Sequence, residues 1–252
     1  PGQMHSDECR LKRIMRINAF LLLPSLAWLS NGAEPMPAES TPPLGPSIGL
    51  VAFYPFYGTA NDESNNGNKG IVNGAILTND RFGNPNSSFF FTGDRSNIQV
   101  PPSSSFAITN AITVAVWVKL AGGGSDQPRI VMTSAFDLGV ADRSEAPRLF
   151  FACRLAGMAT SAPISLNEWI FVAGTYDRQS VRLYINGMLS GQTNATKPIT
   201  VSSSAISIGS NGGSDRFHGA IDDIRIYNRA SAILILATFG FGGCGSRVIR
   251  SG

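Results

Sequence analysis

From Glu168 to Thr193 the chain reads EWIFVAGTYDRQSVRLYINGMLSGQT, an apolar run followed by a turn and then a stretch in which apolar and polar residues alternate. Trp169–Thr175 is aromatic and β-branched, Asp177–Ser180 is a polar turn, and Val181, Leu183 and Ile185 alternate with Arg182, Tyr184 and Asn186. That is the period of a strand with one buried face. Asn186-Gly187 supplies the two positive-φ positions of a type I′ hairpin, and Met188–Thr193 returns as the next strand. A one-residue slip would turn the three aliphatic side chains to water, so the register of this meander is well specified. Similar short runs predict strands at Leu50–Phe56, Ile71–Leu77, Ser88–Phe91, Asn97–Val100, Ile112–Lys119, Arg129–Ser134, Arg148–Cys153, Ala205–Gly209 and Phe217–Asn228. About a dozen short strands with turn signals between them and no helical period predict an all-β fold, a two-sheet antiparallel β-sandwich or jelly roll.

The flanks read differently. Arg16, the apolar run from Ala19 to Leu29 and the small residues Ser30 and Gly32 have the three regions of a secretory signal peptide, about 15–32 within a leader spanning 1–32. The run is too short to cross a membrane. Residues 33–47, with prolines at 35, 37, 42, 43 and 46, read as a linker. The domain is expected over 48–238, with a Gly-rich tail over 239–252 left unassigned. With 252 residues, 43% of them hydrophobic, the chain can bury a sizeable core. The net charge of +3 loses meaning once residues 1–32 are set aside, since they hold four of the 20 basic and two of the 17 acidic residues and leave a balance of about +1. No basic patch interleaved with aromatics points to nucleic acid. Three cysteines, Cys9, Cys153 and Cys244, make neither a zinc ribbon nor a disulfide framework, although a Cys153–Cys244 bridge is open in an oxidising compartment.

Five segments together resemble the laminin-G-like, concanavalin A-like jelly-roll family of bacterial extracellular proteins: GLVAFYPFYGTANDESNNGNKG (49–70), DRFGNPNSSFFFTG (80–93), AITVAVWVK (111–119), NEWIFVAGTYDRQSVRLYING (167–187) and ISIGSNGGSDRFHGAIDDIRIYNRA (206–230). The chain departs from the pattern at Arg95 and Ser96, where acidic residues are usual, and after Ala230, where a short closing helix is usual. The resemblance implies two stacked antiparallel sheets, one of them concave, and a secreted or cell-envelope location. It also implies a structural calcium ion held by Asp62 and Asp222 with main-chain oxygens near Gly67 and Asn68. The residues are compatible with this, because Asn61–Asn68 gathers hard oxygen donors around a glycine. Strict alternation would place Asp222 inward beside Ile224 and Ile226. The competing reading is an Asx-rich turn with Asp222 hydrogen-bonded to main-chain N–H groups.

Catalysis has little material. Outside the leader His218 is the only histidine, and no Gly-x-Ser-x-Gly elbow is present. The Glu-x-Asp-x-x-Glu strand of laminarinase-type glycosidases is matched in spacing only by Glu34 and Glu39, in the proline linker and with Met36 where the aspartate should stand. Glu63, Glu145 and Glu168 are isolated, and adjacent Asp222 and Asp223 are expected to face opposite sides of their strand. Binding remains. Trp117 and Tyr184 alternate out of phase with the aliphatic residues of their strands, so both are expected, with Arg182, on a face away from the main core. The sequence therefore predicts an exported, non-catalytic binding module for a glycan or another surface macromolecule. The alternatives are a structural or adhesive domain, or a fragment of a larger extracellular protein.

Overall fold

The computed structural model describes residues 47–122, 127–142, 146–199, 204–211 and 214–230. The leader, most of the proline linker, Glu145, Cys244 and the chain beyond Ala230 lie outside the described residues. Fifteen strands form in chain order: β1 (Leu50–Tyr54), β2 (Ile71–Asn73), β3 (Ile76–Thr78), β4 (Ser88–Thr92), β5 (Asn97–Val100), β6 (Ile112–Leu120), β7 (Arg129–Met132) and β8 (Phe136–Asp142) come first. They are followed by β9 (Arg148–Cys153), β10 (Gly157–Pro163), β11 (Trp169–Tyr176), β12 (Ser180–Ile185), β13 (Met188–Asn194), β14 (Ile206–Ile208) and β15 (His218–Tyr227). A 3₁₀ turn at Ser104–Phe106 is capped by the Ser103 hydroxyl.

The strands make two antiparallel sheets. Sheet one has eight strands in the order β13-β12-β11-β6-β15-β4-β3, with β1 also paired to β15; sheet two has seven in the order β10-β9-β8-β7-β14-β5-β2. The run expected as one strand over Ile71–Leu77 is two, because Gly74 (φ 70°) breaks it and sends the chain from the edge of sheet two to the edge of sheet one. Strands β8 and β10 escaped the sequence reading: small and polar residues blur the alternation in GMATSAP, whereas FDLGVAD does alternate, with Phe136, Leu138 and Val140 buried. The type I′ turn forms as expected, with Asn186 at φ 50° and Gly187 at φ 82°.

One continuous core lies between the sheets. Val114, Val116 and Val118 of β6, Val172 and Tyr176 of β11, and Leu183 of β12 meet Phe151 of β9, Leu138 of β8 and Ile98 of β5 there. Gly174 lets the sheets close up, since a Cβ at that position would lie 2.2 Å from the Phe151 ring. Tyr176 reaches through the core edge to donate to the Lys197 carbonyl. Cys153 is buried, and burial alone pushes its thiol up to about 12. Gly174→Ala is expected to lower stability by about 1–3 kcal/mol through overpacking against Phe151, measured as the urea midpoint at unchanged m-value.

Candidate functional site

The outer face of sheet one carries the chemistry. Pairing of β11 with β6 sets Phe171 opposite Trp117, Ala173 opposite Ala115 and Trp169 opposite Lys119. Pairing of β11 with β12 brings Tyr184 beside Ala173 and Arg182 beside Thr175. These side chains have the parity opposite to the core valines, so they face away from it. Ala115, Phe171 and Ala173 form a second buried cluster, with Trp117 and Tyr184 packed over it as its half-buried roof. The Trp117 and Phe171 rings stand 5.6 Å apart at 54°. Trp117 and Tyr184 are thus brought onto one face, as expected from alternation. Arg182 joins them but is already engaged, its Nη1 2.6 Å from Asp177 Oδ2 and its Nε donating to Gln192 Oε1 at 3.2 Å. Burial works against the Asp177 carboxylate, yet Arg182 and the N–H groups of Ser180 and Gln179 hold it below the usual range.

Beside Trp117 the strand β15 departs from alternation. A bulge between Asp222 and Arg225, with Asp223 at φ 50°, inserts an extra residue into the pairing with β6. Asp222 consequently sits opposite Trp117 on the outer face, while Ile224 and Ile226 face the core. The inward placement of Asp222 beside those isoleucines is therefore wrong, as is the expectation that Asp222 and Asp223 point apart. Both carboxylates meet one guanidinium: Arg81 Nη1 lies 2.6 Å from Asp222 Oδ2 and Arg81 Nη2 lies 3.2 Å from Asp223 Oδ2. Arg225 Nε lies 3.0 Å from Asp223 Oδ1. The Arg81 guanidinium is also flanked by aromatic rings, 4.5 Å from the Phe82 centroid and 4.7 Å from that of Trp117. Sequence reasoning missed Arg81, Phe82 and Arg225; only the stretch RF at 81–82 hints at the pair, and nothing local ties it to residues 222–225.

The early loop is organised around Asp62. Its Oδ1 accepts from the N–H groups of Phe53 and Ser64, and its Oδ2 from that of Asn68, each at 2.9 Å. The Asn68 carbonyl accepts from the Tyr54 hydroxyl at 2.7 Å, Asn68 Oδ1 accepts from Ser105 at 3.0 Å, and the Gly67 carbonyl accepts from Lys69 N–H at 3.0 Å. Asp62, Gly67 and Asn68 are together in one loop, whereas Asp222 is held by Arg81. The oxygens expected to share a calcium ion each accept from a donor of the chain itself. Among the described residues no three His, Cys, Asp or Glu side chains gather in a group able to hold a metal. The bond from Ser64 N–H to Asp62 is that of an Asx-turn.

His218 lies on the same outer face, one end along β15, its Nδ1 donating to the Gly122 carbonyl and its ring 5.6 Å from that of Phe90. Glu63 and Glu168 are both exposed. Among the described residues two acidic pairs share an arginine: Asp222 with Asp223 on Arg81, and Asp137 with Asp215 on Arg129, at 2.7 and 3.7 Å.

With the geometry in view, comparison with known proteins places the fold. Residues 92–232 match the family model described as Concanavalin A-like lectin/glucanases superfamily (Laminin_G_3). The chain belongs to this superfamily. Among solved structures it is similar to domain 4 of an extracellular arabinanase from Geobacillus stearothermophilus, solved in complex with arabinotriose, at TM-score 0.61 and 18% identity over 75% of this chain and 97% of that one. It is also similar to the botulinum neurotoxin serotype C1 binding domain, at TM-score 0.62 and 16% identity over 78% of this chain and 53% of that one. The binding domain of Paraclostridial Mosquitocidal Protein 1 gives TM-score 0.61 and 15% identity over 79% of this chain and 53% of that one. This laminin-G-type chain thus spans about half the length of the toxin binding domains. No curated protein matches it.

Two expectations follow for the superfamily member at hand. Arg81→Met strands the buried Asp222 and Asp223 carboxylates and should cost about 3–5 kcal/mol by chemical denaturation, the usual penalty for removing one partner of a buried ion pair. Burial, only partly offset by Arg81, pushes the Asp222 carboxyl up to about 7. Between the ordinary carboxylate range and that value the folded chain binds more protons than the unfolded one, so this group's contribution falls as pH rises. Melting temperature should therefore decline from about pH 4.5 to 7 more steeply in the native chain than in Asp222→Asn.

Proposed function

We propose that the chain is an extracellular, non-catalytic module that binds a glycan across the outer face of sheet one. The observation that carries this reading is the second apolar cluster. A strand pair that presented only polar groups to water would need no Trp117–Phe171–Tyr184 assembly outside the main core, and flat half-exposed rings bordered by polar side chains suit the apolar faces of sugar rings. The similarity to arabinanase domain 4, whose structure holds arabinotriose, and to toxin binding domains supports a binding role over a purely structural one. The absence of hydrolysis is part of the proposal. Cleaving a glycosidic bond needs two accessible carboxyls about 5–9.5 Å apart, and Asp222 and Asp223 are spent on Arg81 and Arg225. None of the helices among the described residues is long and apolar enough to cross a membrane. Export through a leader within residues 1–32 belongs to the same reading.

The test is retention on immobilised polysaccharides combined with a reducing-end assay. Purified protein should be retarded on at least one polysaccharide, release no reducing ends, and lose most of its retention in Tyr184→Ala at unchanged fold. Steady release of reducing ends, abolished by changing one acidic residue, would make the chain an enzyme and overturn the reading.

A further inference from the structure

Two loops bracket the bulge end of this face, and both use the same device. In the loop after β1, Phe56 adopts φ 54° and is fully buried, its ring 5.1 Å from Phe89 in an edge-to-face contact; the next residue, Tyr57, is 71% exposed. In the loop before β4, Arg81 turns inward to Asp222 and Asp223, and the next residue, Phe82, is 55% exposed. An anchor buried at one position thus fixes an aromatic ring in water at the following one.

Neither ring sits on a loose segment. The Asp80 carboxylate accepts from the N–H groups of Phe82 and Asn84 and from the Asn84 side-chain amide, each at 2.8 Å. The two loops are tied together where Gly58 N–H donates to the Asn86 carbonyl at 2.8 Å. Phe82 covers one face of the Arg81 guanidinium but leaves more than half of its surface in water, as does Tyr57, and preorganisation of this kind lowers the ordering cost of binding. The rings also adjoin the face described above, because the Arg81 guanidinium lies between Phe82 and Trp117.

The charge beneath the rings selects the ligand. Both guanidiniums there are committed, Arg81 to Asp222 and Asp223, Arg225 to Asp223, and the nearby Asp80 adds negative charge. An anion brought here would meet Asp80, Asp222 and Asp223 beside guanidiniums that already face carboxylates. Asn86, exposed in the same loop as Phe82, offers an amide partner for a hydroxyl group.

We infer that Tyr57 and Phe82 form a rim subsite for an uncharged sugar ring, so that the module takes an extended neutral oligosaccharide running from the Tyr184–Trp117 platform to this rim. The inference rests on the glycan-binding reading above and adds to it a second set of residues, a chain length and a charge class.

Calorimetric titration tests it with defined probes: arabinotriose, arabinohexaose, cellohexaose and laminarihexaose as neutral chains, and a galacturonic acid hexamer and sialyllactose as anionic ones. At least one neutral hexamer is expected to bind, and an arabinan, if it is the class bound, more tightly as hexamer than as trimer. Tyr57→Ala and Phe82→Ala should each weaken hexamer binding about tenfold, or roughly 1.4 kcal/mol, with the fold retained because both side chains are exposed. Hexamer binding that is lost in Tyr184→Ala but untouched in Tyr57→Ala and Phe82→Ala would overturn the rim subsite and leave the glycan-binding reading standing. Preference for either anionic probe would overturn the charge class. Failure of every oligosaccharide to bind would overturn the reading on which the inference rests.

Discussion

The outer face of sheet one depends on a single guanidinium. The bulge at Asp223 turns two neighbouring carboxylates to the same side of β15, an arrangement that in a nearly dry setting repels itself. Arg81 resolves this by splitting its two terminal nitrogens between Asp222 and Asp223 while its planar faces meet Phe82 and Trp117. Arginine is suited to this and lysine is not, because only a planar fork can bind two carboxylates in its edge and rings on its faces. The loop before β4, the bulge and the Trp117 cluster are locked to each other through that one group.

The fold was legible where a strand alternates without interruption. Strands β6, β11 and β12 could be read almost residue by residue, and alternation placed Trp117 and Tyr184 on their face because the irregularity beside Tyr184 puts its extra residue, Ser190, into β13. It failed at β15 for a physical reason. One residue at positive φ inverts the parity of everything before it relative to everything after it, and Asp223 has no sequence mark of that conformation beyond being an aspartate. The partner that makes the bulge tolerable stands 141 residues away, so no local pattern reveals it. β10 was hidden differently: a strand filled with Gly, Ala, Ser and Thr is paired by its neighbours and has little hydrophobic period of its own.

The Asn-rich loop shows how one composition serves two chemistries. Asp, Asn and Gly in close succession are what a calcium loop needs, and also what a tight loop needs to satisfy its own N–H groups. Here three N–H donors converge on Asp62, so the carboxylate acts as an anion around which the loop folds. Tyr54 and Ser105 then bind Asn68 to the sandwich.

Two classes of aromatic residue therefore decorate one face for different reasons. Phe171 is buried and Trp117 and Tyr184 are half-buried, and together they repay part of their exposure by packing on Ala115 and Ala173. Phe82 is compensated only by its contact with the Arg81 guanidinium, and Phe56 at positive φ holds Tyr57 outward beside it. Conformational strain beside apolar exposure is retained in a stable fold only where the rest of the structure over-determines it. Here the over-determination comes from Arg81 below and the Asp80 turn beside it, which makes the loop pair a rigid extension of the sheet and gives the face a defined length across the strands.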